Sequence, residues 1–182
     1  MLRLFGHEKV SVLDGGLKSW LARSGATESG PTIDAPKGGF TVRAPIGAQM
    51  IPMDSLRQLV ELGVAGQIAD ARSAGRFAGV DPEPRAGLRG GHIPGASNVS
   101  IASLINQDGG LRSLDEIAAA FAAGGIETDR PVITTCGSGV TACGLALGLA
   151  LLGNENVFVY DGSWSEWGAS DAPIETSTPS PA

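Results

Sequence analysis

Cys136 lies between an apolar run, Pro131-Val-Ile-Thr-Thr135, and a loop of small residues, Gly137-Ser138-Gly139-Val140-Thr141. The run has strand character, and the residues beyond it, 142–152, read as a helix that is apolar nearly all round and therefore buried. Such a strand–loop–helix turn puts the sulfur at the rim of a ring of backbone N–H groups. A nest of this kind and a helix N-terminus both favour negative charge, so the thiolate is the form the site stabilises. Lowering a thiol pKa from about 8.5 to roughly 6.5 raises the ionised fraction at pH 7 from about 3% to about 75%. A cysteine that merely closed a strand would not need two glycines around a serine directly after it. The expectation is a nucleophile.

The residues nearby decide which nucleophile. A thiolate that attacks phosphate needs an arginine six residues on, to clamp the phosphoryl oxygens. That position is Ala142, and no Lys or Arg follows Cys136 at all. A protease-like Cys–His pair needs a histidine base, and the chain has only His7 and His92. His92 precedes Ile93-Pro94-Gly95 and reads as the brace of a turn. Sulfur transfer asks for less: a nest for a persulfide anion and a cationic pocket for an anionic donor. Arg76 and Arg85 sit in Gly/Pro-rich stretches, where an arginine gains little from packing, and are the candidates for that pocket. Arg72 follows Asp70 closely enough to form a structural ion pair.

With these residues assembled, the chain resembles the rhodanese-like sulfurtransferases, and within them the 3-mercaptopyruvate sulfurtransferase branch. The loop Cys136-Gly-Ser-Gly-Val-Thr141 carries the likeness, with Gly137 and Ser138 where thiosulfate-preferring members usually have basic residues. Further landmarks are Asp70-Ala-Arg72, Gly75-Arg-Phe-Ala-Gly79, Pro82-Glu-Pro-Arg85, Gly91-His-Ile-Pro-Gly-Ala96 and Asp161-Gly-Ser-Trp-Ser-Glu-Trp167. The resemblance covers roughly residues 50 to 170. It implies an α/β domain with a parallel sheet flanked by helices, and a ping-pong transfer of sulfur through a persulfide on Cys136. It implies that Arg76 and Arg85 hold the carboxylate and carbonyl of mercaptopyruvate, and that the N–H groups of Gly137, Gly139, Val140 and Thr141 hold the persulfide. Ser138 is implied as a catalytic hydroxyl that donates to substrate or moves a proton. The acceptor would be cyanide, a small thiol or a thioredoxin-like protein. The alternatives are a thiosulfate sulfurtransferase, and a rhodanese-like binding module of weak activity.

The chain also resembles itself. Leu4-Phe-Gly6-His-Glu8-Lys-Val10-Ser-Val12-Leu-Asp14-Gly15 returns as Leu151-Leu-Gly153-Asn-Glu155-Asn-Val157-Phe-Val159-Tyr-Asp161-Gly162, and Trp20 falls on Trp167 at the same offset of 147 residues. That spacing is a duplicated domain, not a solenoid, whose periods are roughly 20–50 residues. The family is commonly built from two tandem domains, the second active. Residues 1–24 are therefore expected to be the closing remnant of a first rhodanese-like domain, cut short at its N-terminal side and open to self-association. Residues 25–49 are expected to be a linker, 50–170 the catalytic domain and 171–182 a disordered tail.

Composition fits this organisation. A chain of 182 residues accommodates one full domain with appendages. The net charge of −6 argues against nucleic acid or an anionic membrane as partner, while leaving room for a local arginine pair to bind an anion. Two cysteines make no disulfide framework and suit a reducing, cytoplasmic setting. Cys143, on the helix after the loop, reads as packing. No cofactor or metal pattern is visible, and the longest apolar run is too short to span a bilayer. Strands are expected at 10–13, 67–70, 96–99, 132–135 and 157–160, with 40–43 extended. Helices are expected at 17–23, from an Asp54 cap to about Leu62, at 73–78, and from a capping box at Ser113-Leu-Asp-Glu116 to Gly124. Trp164 and Trp167 are assigned to packing.

Overall fold

A computed structural model of the chain describes residues 2–31, 36, 38–43 and 50–177. Two compact units make it up: Met1–Ala48 with Ile105–Leu111, and Gln49–Leu104 with Arg112–Ala182.

The smaller unit holds one helix, α1 (Gly16–Ala22), none of whose residues is buried. Its turns and its tryptophan hydrogen bond repeat those at the end of the larger unit. The turns Gly6 N–H to Arg3 C=O (2.9 Å) and His7 N–H to Leu2 C=O (2.9 Å) return as Gly153 to Ala150 (3.1 Å) and Asn154 to Leu149 (3.0 Å). The Trp20 indole donates to the Ala26 carbonyl at 3.0 Å, as Trp167 donates to Pro173 at 2.8 Å. The strand expected at 10–13 does not form. A strand needs a ladder partner, and among the described residues none lies beside this one. Residues 40–43 likewise carry no ladder, only the bond from Arg43 N–H to Phe5 C=O at 3.1 Å.

The larger unit is a four-stranded parallel sheet ordered β2-β1-β3-β4. Its strands are β1 (Gln67–Asp70), β2 (Ala96–Asn98), β3 (Val132–Thr135) and β4 (Val157–Val159). Parallel strands carry helices on both faces, which is why all four residues of β3 are buried. The helices are α2 (Met53–Glu61), α3 (Ala74–Ala78), α4 (Leu114–Ala123), α5 (Val140–Leu151) and α6 (Ser163–Trp167), with a 3-10 turn at Ile101–Ser103. One core cluster joins Leu56, Ile68, Ile93, Ile133, Tyr160, Trp164 and Trp167. Each large apolar side chain so buried contributes about 1.5–3 kcal/mol. Both tryptophans are thus packing residues, as expected.

Register places the chemistry. Asp70 pairs with Thr135 on one side and Asn98 on the other, so β1, β2 and β3 end level. The segments leaving their C-terminal ends meet at one edge, where open α/β sheets hold their sites.

Several expectations need correction. Asp54 sits in the first turn of α2, and Pro52 occupies the cap without a side-chain bond. The Ser113–Glu116 capping box is present as expected, with Glu116 Oε2 accepting from Ser113 N–H at 3.0 Å. Helix α5 is not buried all round. Ala142, Leu145, Gly148 and Leu149 face inward, while Val140 is 75% exposed and Cys143 also faces out. The sheet covers only one side of a helix, so an apolar sequence on the other side stays at the surface. The expected tail is packed at its start, and its residues 178–182 lie outside the described residues. Ala172 is buried, and Glu175 exchanges backbone hydrogen bonds with His92 at 2.8 and 2.9 Å.

Candidate active site

The Cys136 loop is held by its neighbours rather than by its own turn. Helix α6 opens against it: Trp164 N–H donates to the Cys136 carbonyl and Ser165 N–H to the Gly137 carbonyl, each at 2.9 Å. The Ser165 hydroxyl adds a second bond to Gly137 C=O at 2.5 Å. The two glycines have separate reasons. Gly139 caps α5 at φ 83°, and a Cβ there would lie 2.6 Å from the Asp161 carbonyl. At Gly137 a Cβ would lie 2.9 Å from a terminal nitrogen of Arg76. One glycine serves the turn, and the other lets a guanidinium approach.

Cys136 itself is 1% exposed. Burial alone pushes the thiol up. Against it work hydrogen bonds from the Thr141 hydroxyl, the Ser138 and Ala142 N–H groups and the Ser163 hydroxyl, and the balance lies below the usual thiol range. The Ser138 N–H reaches the sulfur at 3.4 Å. Ser163 Oγ accepts from Cys136 N–H at 3.1 Å, and its one proton can go to the Tyr160 carbonyl at 2.8 Å or to the sulfur at 3.9 Å. The Cys143 thiol is pushed up instead, by partial burial first and then by Asp161 and Cys136. Only one of the two cysteines is poised to ionise.

Ser163 is in the left-handed region, at φ 51°. Its counterpart in the repeat, Gly16, has φ 58°. The fold demands this backbone at the helix start, and a side chain there costs roughly 1–2 kcal/mol. The hydroxyl over Cys136 is what that cost supports. Sequence reasoning passed over Ser163, although its alignment with a glycine in the repeat was a visible signal.

Both candidate arginines come to the loop, and neither is free. Arg76, beside Gly137, is 25% exposed and pairs with Glu83 at 2.6 Å. Arg85 donates to Ser165 Oγ at 2.6 Å, and through it reaches the Gly137 carbonyl. Arg72 is fully buried. It bonds Asp70 at 2.7 Å, Glu83 at 2.9 Å and the Gly91 carbonyl at 2.8 Å, with Trp164 4.3 Å from its guanidinium carbon. That is the structural ion pair expected of it. His92 stacks on Phe77 and bonds its carbonyl through Nδ1 at 2.8 Å, bracing the turn. Ser138 contributes its N–H, while its exposed hydroxyl has no partner among the described residues. Glu83 and Ser165 were not anticipated, though Glu83 stands inside the Pro82-Glu-Pro-Arg85 motif.

A parallel α/β domain thus presents a buried thiol, held below its usual pKa range, in an N–H-lined loop that guanidinium groups approach. The chain belongs to the rhodanese-like domain family, whose model matches residues 53–170. It is 46% identical over 176 residues to a 3-mercaptopyruvate sulfurtransferase of Escherichia coli (strain K12), covering 96% of this chain and 61% of that one. It is 39% identical over 179 residues to a thiosulfate sulfurtransferase of Rattus norvegicus, covering 97% and 58%. The crystal structure of SseA from Escherichia coli, a 3-mercaptopyruvate sulfotransferase with the rhodanese fold, superposes with a TM-score of 0.74 at 42% identity. That match covers 91% of this chain and 60% of SseA. The chain therefore spans about 60% of the length of these relatives.

Proposed function

We propose that this chain carries the sulfurtransferase step on Cys136, taking sulfur from 3-mercaptopyruvate and passing it to a thiophilic acceptor. The observation that carries the reading is the Cys136 thiol: buried, lowered in pKa by four hydrogen bonds, and followed by a loop that Arg76 and Arg85 approach at Gly137. The thiolate attacks the donor sulfur. The carbon–sulfur bond breaks, its electron pair leaves as the enolate of pyruvate, and a proton taken up at carbon gives pyruvate. Cys136 then holds a persulfide, cradled by the N–H groups from Gly137 to Thr141. An acceptor nucleophile (cyanide, a small thiol or a thioredoxin-like protein) attacks the outer sulfur and expels the Cys136 thiolate. Arg85 and the open edge of Arg76 bind the donor carboxylate and carbonyl, and Ser138 offers a hydroxyl at the mouth of the loop. The setting is a reducing, cytoplasmic one.

The repeated turns, tryptophan bond and helix start support reading residues 1–24 as the closing corner of another rhodanese-like fold, with 25–49 as linker. A second reading, thiosulfate as donor, is favoured by the likeness to the rat enzyme. Turnover with each donor, cyanide as acceptor, separates them: mercaptopyruvate is expected to win. Equal or better turnover with thiosulfate would reverse the assignment.

A further inference from the structure

Glu83 is an acidic residue at a site that the proposed reaction wants cationic. Its side chain is 2% exposed. One carboxylate oxygen accepts from Arg72 at 2.9 Å and from Arg76 Nε at 3.3 Å, and the other accepts from Arg76 at 2.6 Å. A carboxylate this buried costs stability unless it is paired, and it is paired twice. The pairing has a consequence for the pocket. Arg72 is spent on Asp70 and Glu83, and Arg76 is spent on Glu83. Of the three guanidinium groups of Arg72, Arg76 and Arg85, only that of Arg85 is left without a carboxylate partner. Asp161, against Gly139, and Asp81, in the same wall as Glu83 and Arg85, add negative charge and no cation.

We propose that Glu83 sets the charge preference of the donor pocket: by holding Arg76 in an ion pair it selects a monoanionic sulfur donor over a dianionic one. This rests on the sulfurtransferase reading above and says which residue makes the choice. A monoanion approaching the Cys136 thiolate is matched by Arg85 together with the unpaired edge of Arg76. A dianion brings a second negative charge for which no cation is left. Glu83 is a specificity and positioning residue, acting through Arg76, and touches no reacting atom.

Glu83→Gln keeps the size and removes the charge, while Arg72 keeps Asp70, the Gly91 carbonyl and Trp164. The measurement is kcat/KM for mercaptopyruvate and for thiosulfate, at low and high ionic strength. The thiosulfate-to-mercaptopyruvate ratio is expected to rise at least tenfold in low salt, and the gain to shrink as salt screens the pocket. Glu83→Asp, which retains the charge, is expected to keep the ratio within about threefold of wild type. A Glu83→Gln ratio within twofold of wild type, with both donors slowed alike, would show that Glu83 only packs the loop. Should Glu83→Gln fail to fold, the wild-type chain decides through protection of Cys136 against iodoacetamide. Pyruvate is expected to protect at lower concentration than oxalate, a dianion of similar size. Oxalate protecting equally or better would overturn the proposal. Absence of a persulfide with either donor would instead sink the sulfurtransferase reading, and the protection assay would still report the pocket's charge preference.

Discussion

At the scale of single residues, the Cys136 thiol is held below its usual range because hydrogen bonds together outweigh burial. The Thr141 hydroxyl is the largest of the lowering influences on this thiol. Hydrogen bonds to the charged form lower an acid's pKa, so removing one must raise it. Iodoacetamide should therefore alkylate Cys136 with a midpoint below the ordinary thiol range, and Cys143 with a higher one. Thr141→Val should move the Cys136 midpoint up and slow alkylation at pH 7, leaving the plateau rate at high pH in place. An unmoved midpoint would remove Thr141 from the account. Arg76→Ala and Arg85→Ala should each cost about 2–4 kcal/mol in kcat/KM with mercaptopyruvate. Losses under twofold in both would place the donor elsewhere. Cys136, Arg76 and Arg85 stood out in the sequence by residue type, although Arg76 lies in helix α3 and not in the loop setting expected of it. Ser163 and Ser165 did not stand out, because they act on residues far along the chain: Ser165 reaches Arg85 across 80 positions. Glu83 was passed over because an acidic residue does not suggest an anion pocket, although its partners Arg72 and Arg76 lie within 11 positions.

The elements β3 and α6 do most of the positioning. Strand β3 aims the loop, and α6 clamps it through two backbone bonds and the Ser163 and Ser165 hydroxyls. The left-handed φ of Ser163 gives a test at this scale. Ser163→Ala loses the hydroxyl and keeps the strain, whereas Ser163→Gly loses both. The glycine variant should be the more stable of the two by about 1 kcal/mol in denaturant unfolding. Equal stabilities, or the reverse order, would contradict the strain argument. Strands β3 and β4 were readable from short β-branched runs, and α4 from its capping box. The start of α2 was misread because an aspartate near a helix start looks like a cap, and only the backbone shows that Pro52 holds that place. Burial around α5 was misread for a different reason. An apolar helix says how much surface prefers to be covered, not how much cover the fold provides.

For the whole molecule, the repeated segment has unequal surroundings. In the larger unit Tyr160, Trp164 and Trp167 are buried. Their counterparts Leu13, Leu17 and Trp20 are 56%, 64% and 41% exposed. A face that is core in one copy is surface in the other. Such a face favours association, so the chain is expected to elute at rising apparent mass as concentration increases. Leu17→Ser with Trp20→Ser should abolish that rise without changing Cys136 reactivity. Elution independent of concentration in the parent chain would show that this face is satisfied. Deleting residues 1–30 should likewise improve solubility without lowering activity. The repeat was visible from the identities at one offset. That residues 10–13 form no strand was not, because a strand is a property of the pair.

The claim on which everything else stands is that sulfur resides on Cys136 between the two half-reactions. Incubation with 3-mercaptopyruvate, followed by intact mass measurement, should show one added sulfur atom that cyanide removes. Cys136→Ser should lose the adduct and Cys143→Ser should keep it. No adduct on the parent chain, or an undiminished one on Cys136→Ser, would contradict the account.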